Sequence, residues 1–261
     1  MISPLAFVHP NAKIGVNVTI EPFAMVHQDT VIGDESYIYS HASIMPGARI
    51  GKNCKIFQGA VIAGIPQDLK FVGEITTAEI GDNSVIREYC TINRGTVDKY
   101  KTVIGKNCLI MAYVHAGHDC IIGDSVIIGN NTQLAGHVVI EDYAIFGGSC
   151  AVQQFTRIGQ HAYIGGGSLV RKDVPPFTKA GREPLSYCGL NSVGLRRRGY
   201  TNEQIFSLQE VYRTIYLKGL NHTKALDLIE IEMAPSPERD EVINFIRSSE
   251  RGIMRGGSSH D

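Results

Sequence analysis

An aliphatic residue recurs at every sixth position through the first two thirds of the chain. The series runs over positions 2–62 without a break and resumes over positions 80–170, with few exceptions. The position two residues before each aliphatic is restricted as well, because it is nearly always Ala, Val, Thr, Ser or Cys. A helix repeats every 3.6 residues and a strand every two, so neither produces a period of six.

A repeat of six is typical of a coil built from short strands. The aliphatic and the small residue both point inward on the strand, and the remaining positions, rich in Gly, Asn and Asp, turn the corner. Glycine follows the aliphatic at spacings that are multiples of eighteen, as at Gly15, Gly33 and Gly51. Three six-residue faces therefore make one coil. The sequence predicts a triangular parallel β-helix whose coils stack about 4.8 Å apart.

The cysteines follow the same repeat. Five of the six occupy the small inward position: Cys54, Cys90, Cys108, Cys120 and Cys150. We expect them to fill the core. Cys188 lies beyond the coil and has no Cys-x-x-Cys partner, so the cysteines predict neither a metal site nor a cofactor.

Charge and hydropathy limit the partners. With 25 basic and 26 acidic residues, the net charge of −1 predicts no bulk attraction to nucleic acid or to a membrane. The first residues lack a basic leader, and no apolar run approaches the length of a transmembrane segment. We therefore expect a cytoplasmic protein.

The repeat fails at two places. Its aliphatic position is charged at Asp68, Glu74 and Asp98, which predicts loops near residues 63–77 and 93–101. Loops that interrupt a solenoid often carry function. Pro175-Pro176 is expected to end the strands, because proline cannot donate to a ladder, and to leave residues 175–190 as a connector. The expected domains are a β-helix over 1–190 and a helical domain over 191–261.

Three helices are predicted in the C-terminal part. Thr201 and Gln204 have the spacing of a capping box, followed by apolar residues at helical spacing up to Gly219. A second helix is expected from about residue 223 to 233. Ser236-Pro237 resembles an N-cap with proline in the first turn and predicts the third helix.

Eighteen residues per coil place distant residues next to each other. His118 should lie beneath Gly136, and Asp119 beneath His137. An outward imidazole, an adjacent carboxylate and an unobstructed backbone N–H are the parts that acyl transfer needs. The alternative is that these histidines, with nearby His115, are solvated or fill a subunit interface.

Several segments closely resemble the UDP-N-acetylglucosamine O-acyltransferases of lipid A biosynthesis. The resemblance lies first in residues 115–120, 130–138 and 146–148. It extends over nearly the whole chain, through residues 67–70, 94–96 and 173–176, and through Asn191 and residues 194–199.

The resemblance implies a fold, an activity and partners. It implies a left-handed β-helix that forms a homotrimer with active sites between subunits. The implied reaction carries a 3-hydroxyacyl chain from acyl carrier protein to the 3-position of UDP-N-acetylglucosamine. His118 would be the general base, supported by Asp119, and the Gly136 N–H would hold the oxyanion.

The resemblance also implies positions for substrate binding. Contacts to the sugar nucleotide or to substrate hydroxyls are expected from Gln67, Asp68, Lys70, His115, His137, Gln154 and Asn191. Arg197 and Arg198 would lie near the nucleotide phosphates or the carrier protein, and the alternative for them is a solvated basic turn. Gly166 falls in the implied acyl-chain region, where a missing side chain leaves room for a long chain.

The sequence departs from the family at three positions. Gln153 and Asn93 stand where a histidine can occur, and Val193 stands where an acid can occur. Gln153 can form hydrogen bonds but cannot titrate, so a role that needs charge is absent there. Three other functions stay open at this point. They are N-acylation of a 3-amino sugar nucleotide, a zinc hydratase of the γ-carbonic anhydrase type, and a purely structural solenoid, for which the outward faces lack the expected Thr or Asn ladders.

Overall fold

A computed structural model describes residues 1–256 of the chain. Within that range the strands, numbered in chain order, form three sheets. Sheet 1 contains β1 (Phe7–Val8), β4 (Met25–Val26), β7 (Ser43–Ile44), β10 (Val61–Gly64), β13 (Thr91–Asn93), β16 (His115–Ala116), β19 (Gln133–Leu134), β22 (Ala151–Val152) and β25 (Leu169–Val170). Sheet 2 contains β2 (Lys13–Ile14), β5 (Val31–Ile32), β8 (Ala48–Ile50), β11 (Thr77–Ile80), β14 (Lys101–Ile104), β17 (Ile121–Ile122), β20 (Val139–Ile140) and β23 (Arg157–Ile158). Sheet 3 contains β3 (Thr19–Ile20), β6 (Tyr37–Ile38), β9 (Lys55–Ile56), β12 (Val85–Ile86), β15 (Leu109–Ile110), β18 (Ile127–Ile128), β21 (Ile145–Phe146), β24 (Tyr163–Ile164), β26 (Thr178–Gly181) and β27 (Ser186–Leu190).

From β1 to β25, consecutive strands pass from sheet 1 to sheet 2 to sheet 3 and build a parallel β-helix, which is the left-handed β-helix that the resemblance implies. The repeat residues Ile44, Ile62 and Ile122 are buried in one continuous core, together with the five inward cysteines. Both predictions from the six-residue repeat are confirmed. Burying an aliphatic side chain contributes about 1.5–3 kcal/mol, so this column of residues is the main stabilising feature of the coil.

The vertical spacing shows where chain has been inserted. Val31 pairs with Arg49, eighteen residues on, and Val103 pairs with Ile121 at the same spacing. Between them, Val61 pairs with Thr91 and Thr91 with His115, at spacings of thirty and twenty-four. The extra residues form a first loop, residues 65–76, and a second loop, residues 94–100.

Both loops leave the prism at one corner, where sheet 1 passes to sheet 2. The first loop joins β10 to β11, and the second joins β13 to β14. We call this edge of the prism the loop corner. Asp119, between β16 and β17, and His137, between β19 and β20, lie on the same edge one and two coils further along.

One expectation about the end of the coil is wrong. The strands do not stop at Pro175-Pro176, because β26 pairs in parallel with β24 and extends sheet 3, while β27 folds back on it antiparallel. Both prolines lie between strands, where no ladder donor is needed, and Phe177 N donates to Gln160 O at 2.8 Å. Residues 175–190 are therefore part of the sheet rather than a connector.

Four helices follow: α1 (Ser192–Arg197), α2 (Asn202–Leu217), α3 (His222–Glu232) and α4 (Pro237–Arg247). The capping box at Thr201 and the Ser236 N-cap are confirmed. The short α1 was not predicted; the Asn191 side chain caps it by accepting from Gly194 N. The expected domain of residues 191–261 extends five residues beyond the described range. Among residues 1–256, no helix has the length and apolar character needed to cross a membrane.

Candidate active site

His118 and Asp119 form a hydrogen-bonded pair at the loop corner. His118 Nδ1 lies 2.8 Å from Asp119 Oδ2, and His118 Nε2 lies 3.9 Å from Asp68 Oδ2 on the first loop. Neither residue is an inward position of the repeat, and both were expected to face outward. Asp119 is nevertheless 0% exposed and His118 only 8% exposed, because the loops cover this corner.

The second loop surrounds the Asp119 carboxylate with donors. Thr96 donates through its backbone N at 3.0 Å and its hydroxyl at 2.6 Å, and Lys99 N donates at 3.2 Å. Burial acts to raise the pKa of Asp119, but the bonds from Thr96, His118 and Lys99 outweigh it and hold the pKa below its ordinary value. A carboxylate ionised in this way keeps the proton of the imidazole on Nδ1, which leaves Nε2 free to accept.

Gly136 lies against the imidazole, as the spacing of eighteen predicts. His137 N donates to His118 O at 2.9 Å, and a Cβ placed on Gly136 would lie 2.7 Å from His118 Cε1 and Nε2. Only glycine fits there without moving the ring. Within residues 1–256, no group accepts a hydrogen bond from Gly136 N, so this N–H is available to an anion beside the imidazole.

His137 packs edge-on against His118, with ring centroids 5.0 Å apart, and stacks on Phe155 at 4.5 Å. Its Nδ1 lies 3.0 Å from Asp98 Oδ2, although the two groups are not aligned as a hydrogen bond. Burial lowers the pKa of His137, with Asp119 acting in the opposite direction. We therefore expect this imidazole to be neutral at pH 7.

A cavity of about 500 Å³ opens between the two loops and the coil. Four residues expected to bind substrate line it: Asp68, Lys70, His137 and Gln154. Its remaining wall includes Asp98 from the second loop and the half-exposed ring of Phe155. The structure therefore brings these four residues together, as the resemblance implies.

His115 faces a second cavity, of about 410 Å³, on the outer face of sheet 1. Its Nδ1 lies 2.7 Å from Thr91 Oγ1, and burial lowers the pKa of the imidazole. The lining is mostly apolar, with Leu134, Val152 and Leu169 as typical members, and Gln153 also faces it. His115 and His137 thus border different cavities, and His118 lies beside His137.

Besides the catalytic candidates His118, Asp119 and Gly136, five positions expected to bind substrate or the acyl chain do not line either cavity: Gln67, Gly166, Asn191, Arg197 and Arg198. Gln67 and Arg197 are exposed, and the Arg198 guanidinium lies 4.3 Å above the Tyr143 ring. The Asn191 amide is occupied, because it caps α1 and donates to His161 O at 3.0 Å.

Gly166 has a close neighbour in the adjacent coil. A Cβ on this residue would lie 3.2 Å from Gly148 O. A side chain at Gly166 would therefore press on the backbone of the adjacent coil, beside any effect it has on an acyl chain.

The sequence missed the groups that hold Asp119 and the first loop. In the sequence, Thr96 stands out only as part of the Arg94-Gly95-Thr96 segment that resembles the family, and no pattern singles out Lys99. Asn93 was noted as a departure from the family, yet it is buried and donates from Nδ2 to Ile65 O at 3.1 Å, at the base of the first loop. Two signals in the sequence point to this segment: the failure of the repeat at Asp98 and the resemblance over residues 94–96.

The arrangement also has a spacing that a metal ion could use. Ligand atoms of His118, Asp119 and His137 lie within 4.8 Å of one another. The Asp119 oxygens, however, already accept from Thr96, Lys99 and His118, so a metal would have to displace several of these bonds. The donor set fits a hydrogen-bonded dyad better than a metal centre.

Two family models match the chain. Residues 173–254 match the model of UDP N-acetylglucosamine O-acyltransferase, domain 2. Residues 29–64 and 101–136 match the bacterial transferase hexapeptide model. The two matches cover the C-terminal part and two stretches of the coil.

Curated relatives cover nearly the full length. A protein of Chlorobaculum parvum is 49% identical over 252 residues, which are 96% of this chain and 96% of the relative. One of Chlamydia abortus is 47% identical over 258 residues, which are 98% of this chain and 92% of the relative. Both carry the name acyl-[acyl-carrier-protein]–UDP-N-acetylglucosamine O-acyltransferase.

Solved structures agree. A UDP-N-acetylglucosamine acyltransferase from Bacteroides fragilis superposes with a TM-score of 0.97 at 52% identity and covers 98% of this chain and 100% of that chain. The Arabidopsis UDP-N-acetylglucosamine acyltransferase gives 0.87 at 36% identity, covering 98% and 100%.

Proposed function

The chain belongs to the UDP-N-acetylglucosamine O-acyltransferase family, and from that premise we propose that His118, Asp119 and Gly136 are its catalytic groups. Its reaction transfers an acyl chain from acyl carrier protein to UDP-N-acetylglucosamine and belongs to lipid A biosynthesis. The observation that carries the assignment is one arrangement: the His118 imidazole has the Asp119 carboxylate on Nδ1, and Gly136, whose N–H has no acceptor among residues 1–256, packs against the ring at Nε2.

The proposed steps follow from these positions. His118 Nε2 takes the proton of the sugar 3-hydroxyl, and the hydroxyl oxygen attacks the thioester carbonyl carbon, so that a C–O bond forms. The carbonyl oxygen becomes an oxyanion and accepts from Gly136 N–H. When the intermediate collapses, the C–S bond breaks, and the departing thiolate takes the proton back from His118 Nε2.

We assign the sugar nucleotide to the cavity of about 500 Å³. Lys70 suits an anionic group of the nucleotide, because a lysine ammonium is a flexible point charge. Asp68 and Gln154 suit sugar hydroxyls, and Asp68 lies near enough to Nε2 to orient the reacting hydroxyl. Gln67 and His137 complete this proposed binding set.

The donor chain is assigned to apolar surface along the coil. The cavity that His115 and Gln153 border has the apolar lining that a hydrocarbon needs. Gly166 lies on the next coil and presents no side chain. A long 3-hydroxyacyl chain is the donor that we propose.

We propose a homotrimer and a cytoplasmic location. The first loop exposes Leu69, Val72 and Ile75 almost fully, which suits burial against a second copy. In such an assembly the exposed Arg197 and Arg198 reach the site of a neighbour, where arginine suits phosphate or an acidic carrier, and Asn191 holds the start of α1, which carries Arg197. Light scattering after size exclusion tests this: we expect three times the mass of one chain, and a monomer at assay concentration contradicts it.

The function is tested by assaying His118→Ala with UDP-N-acetylglucosamine and acyl carrier protein donors of several chain lengths. We expect kcat to fall by roughly 10³-fold or more, since a general base and its oxyanion partner act together. His27→Ala, an outward histidine in the uninterrupted coils, is the matched control and should be unchanged. Wild-type turnover by His118→Ala removes the mechanism, and preferred transfer to a 3-amino sugar nucleotide assayed alongside contradicts the acceptor.

A further inference from the structure

The second loop meets Asp119 with more bonds than His118 does. The Thr96 hydroxyl donates to Oδ2 at 2.6 Å, and the Thr96 backbone N lies 3.0 and 3.2 Å from the two carboxylate oxygens. Lys99 adds its backbone N to Oδ1 at 3.2 Å and its ammonium to Asp119 O at 3.2 Å. His118 therefore contacts a carboxylate that the loop has already fixed in place.

Asp119 also departs from the backbone pattern of the coil. At ordinary corners the N–H donates to a carbonyl of the neighbouring coil, as Ser125 N does to Lys106 O and His137 N to His118 O. Asp119 N donates instead to the Thr102 hydroxyl at 2.9 Å, because the inserted loop occupies the place of a regular corner. Main chain and side chain of Asp119 are thus both held by the segment that contains the loop.

The loop itself has a fixed path. Gly95 N donates to Thr77 O at 3.1 Å, and a Cβ on Gly95 would lie 2.2 Å from Lys101 N, so no side chain fits there. This tight turn places Thr96 directly over the carboxylate. Thr96 itself is buried, which excludes water from competing for Oδ2.

We propose that Thr96 is a positioning residue of the reaction: its hydroxyl fixes the Asp119 carboxylate in the orientation that accepts from His118 Nδ1–H, and this directs the unprotonated Nε2 toward the acceptor. The inference rests on the proposed role of His118. Thr96 borders the cavity assigned to the sugar nucleotide, but its hydroxyl proton is donated to Asp119, so the hydroxyl acts on the reaction through Asp119. A residue that only supports the fold would affect binding and turnover together. For a positioning residue we expect slower proton transfer with unchanged binding of the sugar nucleotide.

The test compares Thr96→Val with Thr96→Ser. Valine keeps the shape and the backbone N–H but removes the hydroxyl, and we expect kcat to fall roughly 10-fold with KM for the sugar nucleotide within about 2-fold. Serine keeps the hydroxyl and should restore kcat to within about 3-fold of wild type. The pKa of Asp119 should rise in Thr96→Val, because the carboxylate loses a donor that favours its ionised form, and the low-pH limb of kcat/KM should move up with it.

Thr156→Val is the matched control. The Thr156 hydroxyl is buried and makes no hydrogen bond within the described residues, so the same atom is lost without the loss of a bond. Its kcat and pH profile should equal those of wild type.

The outcomes separate this inference from the proposed function. If His118→Ala is inactive while Thr96→Val keeps the wild-type kcat and pH profile, the positioning role is wrong and the base assignment stands. A Thr96→Val variant that loses activity and is not rescued by Thr96→Ser also overturns it, because the hydroxyl is then not the group that matters. Wild-type activity in His118→Ala would contradict both the assignment of His118 as the base and the positioning role of Thr96.

Discussion

Two aspartates at equivalent positions show what the loops add to the coil. Asp29 and Asp119 both follow a sheet 1 strand at the same corner of the prism, and both have left-handed backbone, with φ of 52° and 59°. The Asp29 side chain is 52% exposed and pairs with Arg49 at 2.7 Å. The Asp119 side chain is 0% exposed and is bound by Thr96, Lys99 and His118. The same residue on the same backbone is thus a surface ion pair in one coil and the centre of a buried network in another.

The difference comes from the chain inserted at that corner. Corner residues of the first coils pair with the adjacent coil at the surface, at this corner as Asp29 does with Arg49 and at the next corner as Asn17 does with Glu35 at 2.6 Å. At the corner after β16, the two loops cover His118 and Asp119 and remove them from water. Hydrogen bonds between buried charged groups are stronger than at the surface, so the loops create a site from positions that the repeat itself leaves exposed.

The largest expected effect concerns the contact between neighbouring coils. Gly136→Ala places a methyl group 2.7 Å from the His118 ring and pushes the base away from the free amide. We expect kcat to fall roughly 10²–10³-fold, the usual cost of a lost oxyanion donor.

Gly181→Ala is its control, because a Cβ there meets only Cys188 Sγ at 3.6 Å. Steady-state kinetics of both variants test the prediction. Equal activity of the two would show that the Gly136 contact is irrelevant to the reaction.

The next effect compares the two aspartates directly. Asp119→Asn should lower the free energy of unfolding by about 2 kcal/mol at pH 7, because it removes the acceptor of several buried bonds. Asp29→Asn should change it by less than about 0.5 kcal/mol, as is usual for an exposed ion pair. Urea unfolding at one protein concentration measures both.

The pH dependence has a definite sign. The pKa of Asp119 is lowered from the ordinary 3.8, so its stabilisation is present above that value and is lost as the pH falls through the folded-state pKa. The stability gap between wild type and Asp119→Asn should therefore close toward low pH. Two results would contradict the proposed difference between Asp119 and Asp29. One is a difference in unfolding free energy between wild type and Asp119→Asn that does not change with pH, and the other is an equal loss of stability in Asp119→Asn and Asp29→Asn.

A smaller effect is expected at the first loop. Asp68 Oδ2 lies 3.9 Å from His118 Nε2 and lines the proposed sugar cavity. Asp68→Asn should raise KM for UDP-N-acetylglucosamine roughly 10-fold and change kcat by less than about 3-fold. Asp29→Asn, at the same corner without loops, should leave both unchanged. If Asp68→Asn lowers kcat alone, Asp68 acts on the chemical step and not in binding.

The coil could be predicted from sequence because its restraints are local and repeated. The burial of each aliphatic residue can be predicted from its place in the six-residue repeat. The spacing of eighteen likewise places His118 against Gly136 without knowledge of any other contact. The loops have no such period. Their path depends on contacts between distant residues, such as Asn93 with Ile65 and the Arg94 guanidinium 5.2 Å above the Phe71 ring. For that reason the burial of Asp119 and the role of Thr96 required the structure.

The C-terminal part shows the same division. The capping residues Thr201 and Ser236 are local signals, and both helices begin where these residues predict. Strand β26 was missed because its pairing with β24 is a tertiary contact that overrides the prolines before it. The six-residue α1 is too short for a periodic pattern, and only its cap, Asn191, marks it.

The central claim, that the loop corner holds the acceptor against His118, is tested most directly by a crystal structure with UDP-N-acetylglucosamine bound. We predict the sugar 3-hydroxyl oxygen within about 2.6–3.2 Å of His118 Nε2, with the sugar between the two loops. A sugar seated instead against His115 on the outer face of sheet 1, with no hydroxyl within reach of Nε2, would contradict the account.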